Sequence, residues 1–430
     1  MSIPLDRLYD FVESLALEIP LERDVIIYRF WPHGSKKIQD LRPLHADQNS
    51  WLRRSSSPHL YCYDQEPLDW QAYENIDRPG PAFANGELLK KYQVSMPSTN
   101  LRVYPENIYD RCMLLHSERR SSQVDIYGAN GFIPIYYWSH AMIARDWFRY
   151  AEHVQIEKNS QTRPFMIYNR AWSGSREYRL KFADLLIDAD LVQACTMSVN
   201  AHDPQGQIHY LDHQFKHARW KPANKLEDYF LPTQASSASS ADFDIKDYVR
   251  HDFEVVLETL FDDDRLHLTE KILRPLALSQ PFLLCGTKGS LEYLRSYGFE
   301  TFSPWIDESY DQVDDAGLRL EAVVRSMRQI NSWSDAQRSL NMRAISDVCR
   351  RNRQRFFSQD FHQSLVDELR HNLHRAIDDL ESTNTCGRWF ERRKYLAGFP
   401  EINQHQLSAH DWRSRKDIAD LVTIARKYRK

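Results

Sequence analysis

The chain has 430 residues, enough for two or three domains with substantial cores. Its formal net charge of −4 creates no global field toward nucleic acid or lipid, and its six cysteines are scattered without a Cys-x-x-Cys pair, which argues for reduced thiols in a cytoplasmic protein rather than a disulfide frame or zinc site. No apolar run approaches the ~20 residues of a membrane helix, and Asp6, Asp10 and Glu13 do not suit a signal peptide.

In chain order, residues 5–17 place Leu5, Leu8, Tyr9, Val12 and Leu15 at helical spacing. Asp24–Phe30 predicts a strand that ends in Trp31-Pro32-His33-Gly34-Ser35, an acceptor-side loop or an ordinary strand-to-helix turn. His59–Tyr63 predicts the next strand, stopped by Pro67. Asp64 and Glu66 lie two apart and face one side if extended geometry persists. A carboxylate at a strand end suits a general base that takes a proton from an acceptor hydroxyl. Glu66 is the first choice and Asp64 the second; the alternative for both is a turn or capping acid. Arg111–His116 and Phe132–Trp138 predict further strands. Ser139 is the expected N-cap of a helix reaching Tyr150, which puts His140 in a first helical turn as acceptor contact, proton partner or structural histidine. Asp146 and Arg149 are expected to pair on that helix, and the polar stretch at 151–163 reads as a domain linker.

Pro164–Tyr168 predicts the strand that opens the second half. Asn169-Arg170 stands at its end, and Arg176 and Arg179 enter a helix over 175–188, an order that suits a pyrophosphate or, alternatively, surface ion pairs. The small polar run at 233–241 reads as a loop. Phe253–Leu257 has the size of a buried strand and ends on Glu258-Thr259. After a polar bend, Thr269 is the expected N-cap of a helix with Glu270 and Lys271 in its first turn and Ile272, Leu273, Leu276 and Ala277 on one face. Pro275 inside that helix should kink it. Pro281–Cys285 predicts a strand stopped by Gly286, and Gly289-Ser290 opens another helix.

Strand, helix, strand, helix is the order of a parallel α/β sheet, whose ligands lie at strand C-terminal ends beside helix N-termini. Lys271 near backbone N–H groups suits a diphosphate, while Glu258 and Glu270 could take ribose or sugar hydroxyls. Asp262-Asp263-Asp264 imitates an Asp-x-Asp site, in which two carboxylates hold a divalent cation against a diphosphate. Asp307, Glu308 and Asp311 could contact sugar hydroxyls, although capping before the helical run of 315–357 is preferred. A further helix spans 358–381. The basic, aromatic tail at 384–430 could meet an anionic acceptor, nucleic acid or lipid headgroups at a membrane surface, or form a solvated helix.

Glu258-Thr259, then Thr269-Glu270-Lys271, then Pro281-Phe282 before Gly286 resemble the donor-binding signature of the α-1,3-fucosyltransferase group, glycosyltransferase family 10. There an apolar strand ends in Glu-Asn-Ser/Thr and Tyr-x-Thr-Glu-Lys follows. This chain lacks the Asn after Glu258, has a slightly longer gap, and carries His267 where an aromatic is usual. The match lies mainly over 253–311, and what carries over is a nucleotide-sugar site, with fucose one option. The resemblance implies an α/β fold of two Rossmann-like domains facing a cleft (GT-B-like). On that plan 1–155 is the acceptor domain and 160–357 the donor domain, with 358–383 a returning helix and 384–430 a tail. It further implies an inverting transfer from a nucleotide-diphosphate sugar, GDP-linked in the family, to a glycan, lipid-linked or other hydroxyl acceptor, with no resident cofactor. The donor-site candidates are Asn169, Arg170, Arg179, Glu258, Thr259, Thr269, Glu270, Lys271 and Gly286. The resemblance implies a glutamate base in the N-terminal half without fixing which, and Glu66, Asp64 and His140 remain the catalytic candidates read from the residues. A metal-dependent transferase using Asp262 and Asp264 is the rival enzyme, and a carbohydrate- or nucleotide-binding module is the rival without turnover.

Overall fold

The computed structural model describes residues 3, 7–19, 25–30, 41–43, 59–69, 112–129, 132–159, 161–203, 207–232 and 243–382. The predicted turn at 31–35, the loop at 233–241 and the tail at 384–430 lie outside the described residues. The chain divides into two compact units, one of Leu5–Ser139 with the chain from Val366, the other of His140–Leu365 with the first four residues. This division falls ahead of the polar stretch at 151–163.

In the N-terminal unit, helix α1 (Leu8–Ala16) buries Leu8, Tyr9, Val12 and Leu15, the face its spacing predicts. Strands β1 (Ile26–Phe30), β2 (Leu41–Pro43), β3 (His59–Cys62), β4 (Cys112–His116) and β5 (Ile133–Tyr136) form one sheet in the order β2-β1-β3-β4-β5. All neighbours in it are parallel except β2, which runs antiparallel to β1. The apolar runs of these strands supply the core, with Ile27, Leu60, Leu114 and Ile135 inaccessible to solvent. Helix α2 (Ser122–Ala129) precedes β5, and its Tyr127 meets Phe132 edge-on at 5.5 Å.

Helix α3 (Ser139–Trp147) starts at the division between the units. In the second unit, β6 (Arg163–Ile167), β7 (Cys195–Met197), β8 (His251–Leu257) and β9 (Phe282–Cys285) make a fully parallel sheet in the order β7-β6-β8-β9. Helices α4 (Tyr178–Asp188), α5 (Ile245–Arg250), α6 (Glu270–Ala277) and α7 (Ser290–Ser296) lie between or after these strands. The long helices α8 (Ala316–Asn331), α9 (Asp335–Phe357) and α10 (Gln359–Ser382) follow. Every residue of β8 is buried, as a central parallel strand requires. The chain leaves β6 for β7 on one side and returns to β8 on the other. The strand order therefore reverses between β6 and β8, and such a reversal opens a crevice at the strand C-terminal ends.

Local rules account for the helix ends. Arg145, in the last turn of α3, donates to the carbonyls of Phe356 and Phe357 at the end of α9 and to that of Ser358, which also accepts from His362 N–H of the next helix. Asp146 and Arg149 pair at 3.2 Å as predicted. Pro275 fits because α6 is short: it removes the N–H that would bond the Lys271 carbonyl, and the helix closes two residues later. Leu278 N–H then bonds the Arg274 carbonyl and Gln280 N–H that of Pro275. The portion of α10 from Val366 lies with the N-terminal sheet, where Arg119 pairs with Glu368 at 2.8 Å and Asn372 donates to the Tyr136 carbonyl at 2.8 Å.

Candidate functional site

The crevice at the strand-order reversal is bordered by the segment after β6 and the segment after β8. The first carries Asn169, which is buried, and Arg170, which is half-buried. Its backbone is held by Asn200, whose amide donates to the Arg170 carbonyl at 3.1 Å. The second carries Glu258 and Thr259 and runs on to Thr269, the N-cap of α6. These are among the residues the sequence places at a donor site, and the sheet order brings their segments side by side at the strand C-terminal ends, where such a reversal opens a crevice.

Arg179, expected at the diphosphate, has another position. It is buried on α4, and its guanidinium donates to the carbonyls of Ala171 at 2.8 Å, Leu257 at 2.7 Å and Glu258 at 3.1 Å. It thus ties together the segments that follow β6 and β8 from below. Tyr178 helps, its hydroxyl donating to the Glu258 carbonyl at 2.7 Å and its ring stacking on Phe261 at 4.3 Å. Strand-end carbonyls without ladder partners need donors, and a planar guanidinium reaches three at once.

Around the α6 N-terminus the polar side chains interlock. Glu258 is 0 % exposed, and its carboxylate accepts from Thr269 N–H at 3.1 Å, Thr269 Oγ1 at 2.7 Å and Thr259 N–H at 3.3 Å. Burial raises its pKa above the ordinary carboxylate value, against the pull of the nearby Lys271 charge. Thr269 Oγ1 caps the helix by accepting from Lys271 N–H at 3.4 Å. The Lys271 ammonium donates to Thr269 Oγ1 at 2.9 Å, Thr259 Oγ1 at 3.2 Å and Glu270 Oε1 at 3.2 Å, with its side chain 20 % exposed. Burial pushes the Glu270 carboxyl up, but Lys271 and His140 outweigh it and hold the pKa down at about 2. His140 Nε2 lies 3.8 Å from Glu270 Oε2, and its ring meets that of His267 edge-on at 5.1 Å. His140, read from the sequence as a first-turn residue of α3, thus stands beside the first turn of α6.

The neighbouring helix start is already occupied by a carboxylate of this chain. Gly289 takes a positive φ of 79° ahead of α7, and Asp311 accepts there from Leu291 N–H at 2.9 Å and Glu292 N–H at 3.4 Å. Gly286 permits this close turn, since a Cβ there would stand 2.6 Å from Ser290 Oγ. The acid cluster of 307–311 does cap backbone, but not at the helical run after it. Glu308 accepts from Phe302 N–H at 2.5 Å, Asp307 from Ser309 N–H at 2.9 Å, and α8 is capped by Asp315 through Leu318 N–H at 2.9 Å. Of the Asp-x-Asp candidate, Asp262 takes both oxygens to Arg219 at 2.7 Å and Asp263 pairs with Arg265 at 2.6 Å.

The two candidate bases sit in the N-terminal unit, in the segment after β3. Asp64 is 1 % exposed and accepts from the hydroxyls of Tyr9, at 2.8 Å, and Tyr137. Its carbonyl accepts from Ser139 Oγ. Burial pushes its pKa up to about 6 despite the two tyrosine donors. Gln65 donates to the Tyr9 hydroxyl at 2.7 Å, and Leu68 N–H donates to Glu118 Oε1 at 2.7 Å. Glu66 is therefore the half-exposed middle of a segment tied down on both sides.

Sequence reasoning missed the tyrosines that hold Asp64, the clamp of Tyr178 and Arg179, and a buried pair of Glu254 and Arg274. Only the last left a signal: a glutamate inside the apolar run of β8 requires a charged partner. No known protein family, curated protein or solved structure matches this chain.

Proposed function

We propose that the chain is a glycosyltransferase that binds a nucleotide-diphosphate sugar at the crevice between β6 and β8 and transfers the sugar, with inversion, to a hydroxyl acceptor. One observation carries this reading: the strand-order reversal falls between the two segments that hold Arg170 and Lys271. Lys271 stands in the first turn of an N-capped helix, where an ammonium and backbone N–H groups together favour a diphosphate. The same contacts would stabilise the nucleotide diphosphate as it leaves, without requiring a metal. Glu270, held ionised, is suited to accept from sugar or ribose hydroxyls. Asn169 supplies an amide to the same side, and Glu66 is the base that takes the acceptor proton. The GT-B-like arrangement of two Rossmann-like domains belongs to this proposal.

Titration calorimetry with GDP, UDP, CDP and ADP, each with and without magnesium or manganese, tests the donor site. One nucleotide is expected to bind without metal, and Lys271→Ala is expected to weaken it by at least about tenfold, the effect of one charge-assisted contact. Binding that requires metal would move the site to Asp262 and Asp264, and no binding of any nucleotide would refute the proposal. Glu66→Ala should keep nucleotide affinity while turnover, followed as nucleotide release from the donor sugar, falls by about 10²-fold or more. Unchanged turnover in that variant would remove Glu66 from catalysis.

A further inference from the structure

Resting on the donor-site reading above, we infer that Glu258 is a positioning residue for Lys271, acting through the hydroxyl of Thr269, and not a ligand of the donor. The valences of the groups force this role. A threonine hydroxyl has one proton to give and two lone pairs to receive with. Both lone pairs of Thr269 Oγ1 face donor-only groups, the Lys271 backbone N–H at 3.4 Å and the Lys271 ammonium at 2.9 Å. Its proton must therefore go to Glu258 Oε2, at 2.7 Å. The remaining contacts of that carboxylate are also donors, the N–H groups of Thr269 at 3.1 Å and Thr259 at 3.3 Å. Glu258 thus accepts from this chain's own donors at both oxygens, and at 0 % exposure it is sealed from a ribose or sugar hydroxyl.

The carboxylate is itself fixed from behind. Its own N–H donates to the Cys285 carbonyl at 3.0 Å, and its carbonyl receives Tyr178 Oη and Arg179 Nη2. A rigid chain results: α4 and β9 hold the Glu258 backbone, the Glu258 carboxylate orients the Thr269 hydroxyl, and that hydroxyl aims the Lys271 ammonium. Thr259, the residue after Glu258, offers the ammonium a second oxygen at 3.2 Å. Lysine has four rotatable bonds, so holding its head in place saves ordering that a ligand would otherwise have to impose. A glutamine at 258 breaks the chain in either amide orientation, because its NH₂ must face either the Thr269 hydroxyl proton or the Thr269 N–H.

The test is a double-mutant cycle on the full chain with two readouts. The first is affinity for the nucleotide that the wild type binds. The second needs no nucleotide: the acetylation rate of Lys271 under a brief pulse of acetic anhydride, read by mass spectrometry against Lys288 in the same sample. Glu258→Gln is expected to weaken nucleotide binding about tenfold, and to weaken it little further in a Lys271→Ala background, since coupled residues do not add. It is also expected to raise Lys271 acetylation severalfold. Thr269→Val, which removes only the middle hydroxyl, should repeat both effects, and Thr269→Ser should restore wild-type values; this pair decides the matter if Glu258→Gln fails to fold. Equal nucleotide affinity in wild type, Glu258→Gln and Thr269→Val, or additive losses in the cycle, would overturn the inference. If no nucleotide binds the wild type, the donor-site reading falls, and acetylation alone decides whether Glu258 positions Lys271: a severalfold rise upholds it and an unchanged rate overturns it.

Discussion

Arg274→Met is expected to destabilise the second unit by roughly 3–5 kcal/mol, the usual loss when one partner of a buried ion pair is removed. Glu254 is wholly buried in β8, and Arg274 Nη2 and Nε reach its Oε1 at 2.5 and 3.2 Å. Tyr248 donates to Oε2 at 2.9 Å, and the guanidinium lies 4.4 Å from the centre of the Tyr168 ring. Burial works against the guanidinium charge, yet Glu254 outweighs it and raises the Arg274 pKa. Methionine keeps much of the arginine stem's packing but leaves the carboxylate with a single neutral donor. The loss therefore arises from an uncompensated charge, not from a cavity. The double change Arg274→Met with Glu254→Met should recover most of it, leaving about 1 kcal/mol for the Tyr248 hydroxyl that has lost its acceptor. Urea unfolding of the three variants measures this. A single-variant loss below about 1 kcal/mol, or a double variant as unstable as the sum of the singles, would show that the pair is not the link between β8 and α6.

Asp64→Asn should change how stability depends on pH between about pH 4 and pH 6. The Asp64 carboxyl titrates near 3.8 when exposed and is pushed up to about 6 by burial. The folded chain therefore holds this proton more tightly than the unfolded chain does. The stability linked to it is fully present below about pH 4 and is lost as pH rises through about 6. Two pH units of displacement correspond to roughly 3 kcal/mol at about 1.4 kcal/mol per unit. Asparagine has no proton to lose and can still accept from one tyrosine hydroxyl while donating to the other. Relative to the wild type, the variant should gain about 3 kcal/mol in unfolding free energy between pH 4 and pH 7. A difference that stays constant across that range would place the Asp64 pKa near its ordinary value and remove burial as its governing influence. Access, not ionisation, ranks the two candidate bases: Asp64 is buried and closed in by Tyr9 and Tyr137, whereas Glu66 is half-exposed.

Much of the architecture was legible because it depends on near neighbours in the chain. The runs predicted as strands at 59–63, 164–168, 253–257 and 281–285 form β3, β6, β8 and β9 to within one or two residues. Thr269 caps α6 as its position before Glu270 and Lys271 suggests, and Ile272, Leu273, Leu276 and Ala277 are buried as their spacing predicts. Three-residue strands such as β2 and β7 are too short to carry a period and were not legible. The pairing of polar groups was not legible either. Glu258 and Glu270 lie at comparable local positions, each just beyond an element boundary, and the sequence assigns both to hydroxyl binding. Only in the folded chain does one turn onto Thr269 and the other, also buried, toward Lys271 and His140.

The sequence by itself determined the kinds and order of most of the longer elements, the cap of α6 and the identity of a lysine at its first turn, because periodicity, capping and chain breaking act over a few residues. Tertiary structure alone decided which charges face each other. Asp64 finds Tyr9 at a separation of 55 residues, Arg179 finds the Glu258 carbonyl at 79, and Asp311 caps a helix that begins before it in the chain. A buried charge is satisfied by whichever donors the packing brings within hydrogen-bond reach. In each unit that choice follows from the strand order, β2-β1-β3-β4-β5 or β7-β6-β8-β9, which no local pattern encodes.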